Sequence, residues 1–429
     1  MIPLSVLRLA YGGAASLMRT AARIAPHGRT KLLRSLRARR GVAARYASWG
    51  RTSRDSTRPL LWMHAPSVGE GLQAKPVLEA LRQARPELQL AYSWFSPSAE
   101  RFAQALDVDF RDYLPFDTAA DARTALDALR PTALVFSKLD VWPVLVREAQ
   151  ARGVRLGLVS ATLASDSSRR GGMAAALLRD AYRSLDAVGA VSAEDATRLA
   201  ELGVREGAIT ITGDTRFDQV WERAGRAARD GPLLGRLSST RPTLVAGSTW
   251  SSDEAPLLAA LSTVRDRHPR LRLIIAPHEP TPAHLSAIER WASRAGLRFA
   301  RLDDAAAEHD VLVVDRVGVL GDLYALADVA FVGGGFHSAG LHSVLEPAAF
   351  GAPVLFGPRF TNSRDAGLLV AAGAGHSAHD AASLASWIER MLADPSARTV
   401  AGSAARELVR GGRGASARSA TLVESLLDR

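Results

Sequence analysis

The chain contains no cysteine, so disulfides and thiolate metal sites are excluded and a reducing compartment is allowed. Lysine is nearly absent too, with Lys31, Lys75 and Lys138 the only three beside an abundance of arginine. No Walker A motif and no G-x-S-x-G elbow occurs. No set of His, Asp and Glu has metal-ligand spacing, so neither a metal nor a cofactor is expected. Short-period repeats and coiled-coil heptads are also missing. Within residues 1–25 the longest uncharged run, Leu9 to Met18, is far short of the ~20 apolar residues that cross a bilayer. Its arginines interrupt the apolar run rather than precede it, a poor fit to a secretory signal.

What is present is 429 residues, enough for two or three domains, with a net charge of +10. Residues 1–58 hold thirteen Lys/Arg against Asp55 alone, a net of +12, which leaves −2 for residues 59–429. The basic character therefore belongs to one segment. Residues 28–54 read as a basic helix with Leu32, Leu33 and Leu36 on one side, a pattern that adsorbs to an anionic leaflet. Two alternatives stay open for this arm, a face packed on its own domain and a nucleic-acid arm. Membrane-surface attachment, peripheral or N-terminally anchored, is favoured, and no nucleic-acid partner is expected.

From residue 59 apolar strands alternate with helical segments, the signature of parallel α/β sheets. PLLWMHAP, LQLAYSWF, TALVFSK, VRLGLVSA, AVGAVS and AITITGD form one set; TLVAGS, LRLIIAPH, DVLVVD, DVAFVGG and PVLFG form a second. The spacing predicts an arm over 1–58, a Rossmann-like domain over 59–225, a linker over 226–241 and a second domain over 242–429 with C-terminal helices. Ligands in such sheets sit at the C-terminal ends of the strands, where every polar motif falls.

The most telling stretch is Phe331 to Pro358, a buried strand, the turn Gly333-Gly334-Gly335, the pair His342 and Ser343, a helix entered with Glu346, then another strand. Glycines permit close backbone approach to a ligand, and a helix start offers N–H groups to a phosphate. Glu346 suits two vicinal hydroxyls, as on a ribose. Gly247, Ser248 and Thr249 precede a further helix and suit a phosphate, or serve only as a cap. Pro277 and His278 end another strand; a lone His there is more often structural, but this one faces the cleft.

In the first half, Ser67, Gly69 and Glu70 close a strand and open a helix. Glu70 is either a first-turn carboxylate stabilised by the helix dipole or a general base toward a hydroxyl. Lys138 and Asp140 form either a structural pair or a polar part of the site. Arg169 and Arg170 lie in a hydroxyl-rich loop, 160–170, that suits phosphate or sugar.

Together these residues resemble the Kdo transferases of lipopolysaccharide synthesis, over nearly the whole chain. Ser67 to Glu70 is similar to the family's S-V-G-E, whose Glu is taken as the base. Leu139 to Pro143 stands at its E-T-E-x-W-P, Gly213 to Asp218 at G-N-x-K-F-D, Gly247 to Trp250 at A-S-T-H, and Gly334 to Ala348 at the nucleotide-holding G-G-H-N-x-L-E-P-A. Departures are His278 for the arginine of P-R-H-P, Leu341 and Ser343 within G-G-H-N, Lys138 for the first Glu of E-T-E, and Ser160 to Ala164 for N-A-R-L-S. The resemblance implies a GT-B fold, two Rossmann-like domains facing across a cleft, and inverting, metal-independent transfer of Kdo from CMP-Kdo to a lipid A precursor. It places the acceptor on the first domain and the donor on the second, at the cytoplasmic face of the bacterial inner membrane. Two other readings share the fold: an enzyme of UDP sugars, transferase or epimerase, and a non-catalytic membrane or nucleic-acid binding protein.

Overall fold

The structure, a computed structural model, describes residues 3–26, 30–164, 167, 169 and 171–428. They form two compact units: the chain up to Gln219 together with Arg413 onward, and Val220–Gly412.

The first unit is built on seven parallel strands, β1 (Leu60–His64), β2 (Gln89–Trp94), β3 (Phe110–Tyr113), β4 (Ala133–Ser137), β5 (Arg155–Ala161), β6 (Ala187–Ala190) and β7 (Ile209–Ile211). Their order is β3-β2-β1-β4-β5-β6-β7, and the register pairs Leu61 with Leu90 on one side and Ala133 on the other. Every residue of β1, β2 and β4 is buried, because helices cover both faces of a parallel sheet.

The second unit repeats the plan with β8 (Thr243–Thr249), β9 (Arg272–Pro277), β10 (Phe299–Arg301), β11 (Val311–Val313), β12 (Val329–Val332), β13 (Val354–Phe356) and β14 (Gly375–Ser377), in the order β10-β11-β9-β8-β12-β13-β14. Leu244 and Ala246 pack into a core on one face while Val245 joins a core on the other, the period of two expected along a strand. The strands that the sequence pattern missed, β3, β10 and β14, have three or four residues and lie at sheet edges. Edge strands carry no continuous apolar run.

Three boundaries differ from the sequence expectation. Residues 226–241 are no linker: a helix at Pro232–Leu237 buries Leu234 and Leu237 in the core of the second unit. The last helix, Ala415–Leu427, belongs to the first unit, where Leu426 and Val423 join its core and the Asp218 carboxylate accepts from the Gly414 and Ser416 N–H groups at 2.6 and 2.7 Å. The basic segment is not one arm either. It folds as α1 (Leu4–Ile24), α2 (Lys31–Ala38) and α3 (Val42–Thr52), and α3 is part of the body. Tyr46 is fully buried against Trp62 and Phe110, and Arg45 grips Asp112 through two bonds of 2.5 and 2.7 Å. For α3 the packed-face alternative holds. Gly28 and Arg29 lie outside the described residues.

Among the described residues no helix is long and apolar enough to cross a membrane. α1 is amphipathic with its polar side turned inward: Tyr11 donates to Asp117 at 2.7 Å, Arg19 to Asp121 at 2.8 Å, and Arg8 pairs with Asp180. Its opposite face, at helical spacing, exposes Val6, Leu9, Leu17 and Ile24.

Candidate active site

The two strand orders each contain a switch point, between β1 and β4 and between β8 and β12, where successive connections diverge and leave a crevice at the C-terminal edge. Ser67 to Glu70 and Lys138 to Asp140 follow the strands of the first, and Gly247 to Thr249 and Gly333 to Gly335 those of the second, while Pro277 and His278 end β9, the loop with Arg169 follows β5 and Gly213 to Asp218 follows β7.

In the first unit, Ser67 N-caps α4 (Val68–Ala84), which puts Gly69 and Glu70 in its first turn. The Ser67 hydroxyl donates to the Glu70 carboxylate rather than capping the backbone. Lys138, which follows β4, reaches Glu70 with its Nζ at 3.4 Å, and Ser137 Oγ donates to the Glu70 carbonyl oxygen at 3.1 Å. The lysine has φ of 61°, a left-handed backbone that a non-glycine residue adopts at a cost, of the kind that accumulates at functional sites. The Glu70 side chain is 19% exposed, so it is held and still accessible.

Lys138 and Asp140 do not pair; Lys138 pairs with Glu70. Asp140 instead ends a buried chain that the sequence reading missed. Trp62 Nε1 donates to Ser93 Oγ at 2.9 Å, Ser93 Oγ lies 3.0 Å from His64 Nδ1, and His64 Nε2 lies 3.1 Å from Asp140 Oδ2, which also accepts from Trp142 Nε1 at 3.0 Å. His64 Nδ1 lies equally close, 3.0 Å, to the Ser93 carbonyl oxygen. Burial pushes the Asp140 carboxyl up, but the bond and charge of His64, the bond from Trp142 and the nearby Arg169 charge outweigh it, and the net shift is downward. Arg169 thus acts on Asp140 by charge. Of the same loop, Ser165, Asp166, Ser168 and Arg170 lie outside the described residues. The signal for His64 was its place in HAPSVGE, one strand residue before the turn.

In the second unit the glycine turn after β12 meets the loop after β8. A Cβ on Gly333 would fall 2.2 Å from the Ser248 carbonyl oxygen, on Gly334 2.2 Å from that of Gly340, and on Gly335 2.4 Å from the Gly357 nitrogen. These glycines are required by the protein's own backbone, which corrects the expectation that their space serves a ligand. The Gly334 and Phe336 N–H groups are likewise taken, donating to Asp253 at 2.8 and 2.9 Å, while the other bond of that carboxylate caps Trp250 N. The sequence reading missed Asp253, three residues past Trp250 in a capping-box position.

Gly247 sits under Tyr324, and Ser248 has a left-handed φ of 54°. Thr249 is fully buried with its hydroxyl donating to Glu254 at 2.7 Å, and Glu254 in turn meets His284 Nε2 at 2.8 Å, so the Thr249 hydroxyl is not offered to a phosphate. Above this loop stands an aromatic cluster. Trp250 stacks on His337 at 4.2 Å and lies 4.7 Å from His278; His278 stacks on His342 at 4.4 Å; and Trp250 Nε1 donates to His342 Nε2 at 3.1 Å. Burial, with His278 beside it, lowers the His342 pKa. The cluster therefore joins His278 and His342, far apart in sequence, while Pro277 is buried behind them and Ser343 points to solvent. Among the described residues no three His, Asp or Glu side chains converge as a metal site.

Glu346 lies in a helix of only five residues, Leu345–Ala349, too short for the dipole expected at its start. Burial raises the Glu346 pKa, with Asp322 adding to the rise and Arg223 opposing it.

The fold is that of GT-B-type nucleotide-sugar enzymes, two Rossmann-like α/β domains. The structure is similar to UDP-GlcNAc 2-epimerase from Neisseria meningitidis bound to UDP-GlcNAc, with a TM-score of 0.64 and 13% identity over 86% of this chain and 100% of that one. Residues 34–219 match the family described as 3-deoxy-D-manno-octulosonic-acid transferase (kdotransferase). The 3-deoxy-D-manno-octulosonic acid transferase of Bordetella pertussis is 32% identical over 89% of this chain and 91% of its own length. That of Haemophilus influenzae is 26% identical over 92% and 94%. The chain belongs to the 3-deoxy-D-manno-octulosonic acid transferase family.

Proposed function

We propose that this protein is an inverting glycosyltransferase that moves Kdo from CMP-Kdo to a lipid A precursor in lipopolysaccharide synthesis. The observation that carries the chemistry is Glu70, a carboxylate fixed by Ser67 and Lys138 at the switch point of the first sheet and still open to solvent. In this reading Glu70 takes the proton of the acceptor hydroxyl as its oxygen bonds to the anomeric carbon. The bond from that carbon to the phosphate oxygen breaks, and CMP leaves with the electron pair. Lys138 holds the Glu70 carboxylate in place before the transfer. Asp140, kept as an acceptor by His64 and Trp142, receives a neighbouring acceptor hydroxyl.

The second unit holds the donor. Glu346 accepts from the ribose hydroxyls, and the Trp250, His278 and His342 cluster lies beside the loop Gly247 to Thr249 where the phosphate and sugar acid are bound. His278 stands where the P-R-H-P pattern has its arginine and takes over part of that contact. The α1 face with Val6, Leu9, Leu17 and Ile24 rests on the cytoplasmic face of the inner membrane, whose anionic lipids and phosphorylated acceptor suit the surrounding arginines.

The test is transfer from CMP-Kdo to a lipid A precursor, read by product mass, which also counts the sugars added. Thermal shifts with CMP and UDP accompany it. Product and stabilisation by CMP support the reading; stabilisation by UDP alone, without product, overturns it in favour of a UDP-sugar enzyme.

A further inference from the structure

Arg39 stands between α2 and α3, within the basic segment read as membrane-facing, yet it is 4% exposed. Its guanidinium carbon lies 3.6 Å from the centre of the Phe95 ring and 5.6 Å from that of Phe116. Among the described residues Nε has no hydrogen-bond partner, and Nη2 makes one long contact, 3.4 Å, to the Phe95 carbonyl oxygen. No described carboxylate reaches it within ion-pairing distance; Asp140 acts on it through charge alone. Burial pushes its pKa down to about 10, against the opposing pull of Tyr113, Asp140 and Tyr46.

A desolvated, unpaired cation costs more than a cation–π contact returns. Buried polar donors left unmatched in a folded protein call for an explanation. The position supplies one. Phe95 follows β2 and Phe116 follows β3, so Arg39 lies at the C-terminal edge of the sheet that carries Glu70. Phe95 stacks on Trp142 at 5.4 Å and 18°, and the Trp142 indole donates to Asp140. The row Arg39, Phe95, Trp142, Asp140 runs toward the catalytic edge.

We propose that Arg39 is an anion-binding residue of the acceptor half-site, whose uncommitted guanidinium donors take an oxyanion carried by the acceptor glycolipid. A guanidinium presents a planar fork that matches either a phosphate on the lipid's sugar or the carboxylate of a sugar acid already attached. The inference rests on the reading of the Glu70 half as the acceptor side.

Arg39→Met and Arg39→Lys test it, with three acceptors: the phosphorylated glycolipid, the same lipid after phosphatase treatment, and the lipid bearing one Kdo. Arg39→Met is expected to melt no lower than the wild type, to bind CMP unchanged, and to raise KM about tenfold or more for whichever acceptor carries the recognised anion. Arg39→Lys is expected to recover part of that loss. If the phosphatase-treated lipid alone escapes the effect, phosphate is the anion; if the Kdo-bearing lipid alone suffers it, the carboxylate is. A lower Tm for Arg39→Met with unchanged KM for every acceptor makes Arg39 a structural clamp and overturns the proposal. Calorimetric binding of the phosphorylated and Kdo-bearing lipids in detergent micelles reads the site without turnover. Arg39-dependent binding in a protein that transfers nothing keeps this inference and removes the transferase reading. Should Arg39→Met not fold, Arg39→Lys binding both lipids as tightly as wild type, with unchanged KM, overturns it.

Discussion

Glu70 and Glu346 are both glutamates entering a helix after a sheet strand, and their surroundings set them apart. Glu70 has an ammonium 3.4 Å away and a hydroxyl donating to it, so its carboxylate is compensated before any ligand arrives. Glu70→Gln keeps those contacts in outline and removes the proton acceptor. The expected result is unchanged Tm and CMP binding with turnover lowered at least about a hundredfold, measured by single-turnover transfer. Near-normal turnover would end its role as base.

Burial raises the pKa of Glu346, so the folded carboxyl holds its proton at a higher pH than an ordinary glutamate. In the proposed ribose contact the ionised carboxylate, with both oxygens free to accept, is the stronger acceptor for two hydroxyls, so nucleotide binding favours loss of that proton. CMP affinity is therefore expected to be flat above the raised pKa and to fall by up to about tenfold per pH unit below it. Calorimetry across pH 5 to 8 reads the slope, and Glu346→Gln is expected to bind weakly at every pH. A flat wild-type profile that matches the Gln variant would remove Glu346 from the ribose contact.

At the scale of elements, the basic segment divides. α3 carries Tyr46 into the core, and truncating it to Ala is expected to cost about 3 kcal/mol or more by chemical denaturation, in line with large aromatic deletions. α1 is tied down by polar contacts to Asp117 and Asp121 and leaves its apolar face outside. Deleting residues 1–25 is expected to leave a folded protein that no longer floats with anionic vesicles; undiminished flotation would defeat the anchoring role. Since Arg8, Arg19 and Arg45 are already paired with carboxylates, fewer charges are free for lipid than the count of +12 suggests. Flotation is accordingly expected to survive raised ionic strength better than it survives Leu9→Asp with Leu17→Asp. A loss to salt alone would reverse that ranking.

Across the whole molecule, eleven of the fourteen strands were legible because a strand buried on both faces is largely apolar, as LLWMH and AVGA are. The motifs at the switch points were legible for a related reason: polar residues directly after such strands have no other place than the C-terminal edge. Less legible was the domain to which a helix returns. Ala415–Leu427 reads as an end to the second unit, and its packing of Val423 and Leu426 into the first core, with the bonds from its N-terminus to Asp218, shows that it completes the first. The glycine turn read as a ligand cradle, because a sequence does not reveal which backbone will fill the missing Cβ positions.

The sequence by itself determined the alternation of strands and helices and the polar motifs at the strand ends, since side-chain period and turn chemistry act over a few residues. Tertiary structure alone decided the partners. Lys138 meets Glu70 rather than Asp140, Asp253 takes the Gly334 and Phe336 N–H groups, and Arg39 is drawn beneath Phe95 without a counter-ion among the described residues. These pairings join residues tens of positions apart, and no local pattern encodes which of several acids a cation will reach. Packing of the sheet edges fixes that choice, because it sets which side chains share the space left once the strands are in register.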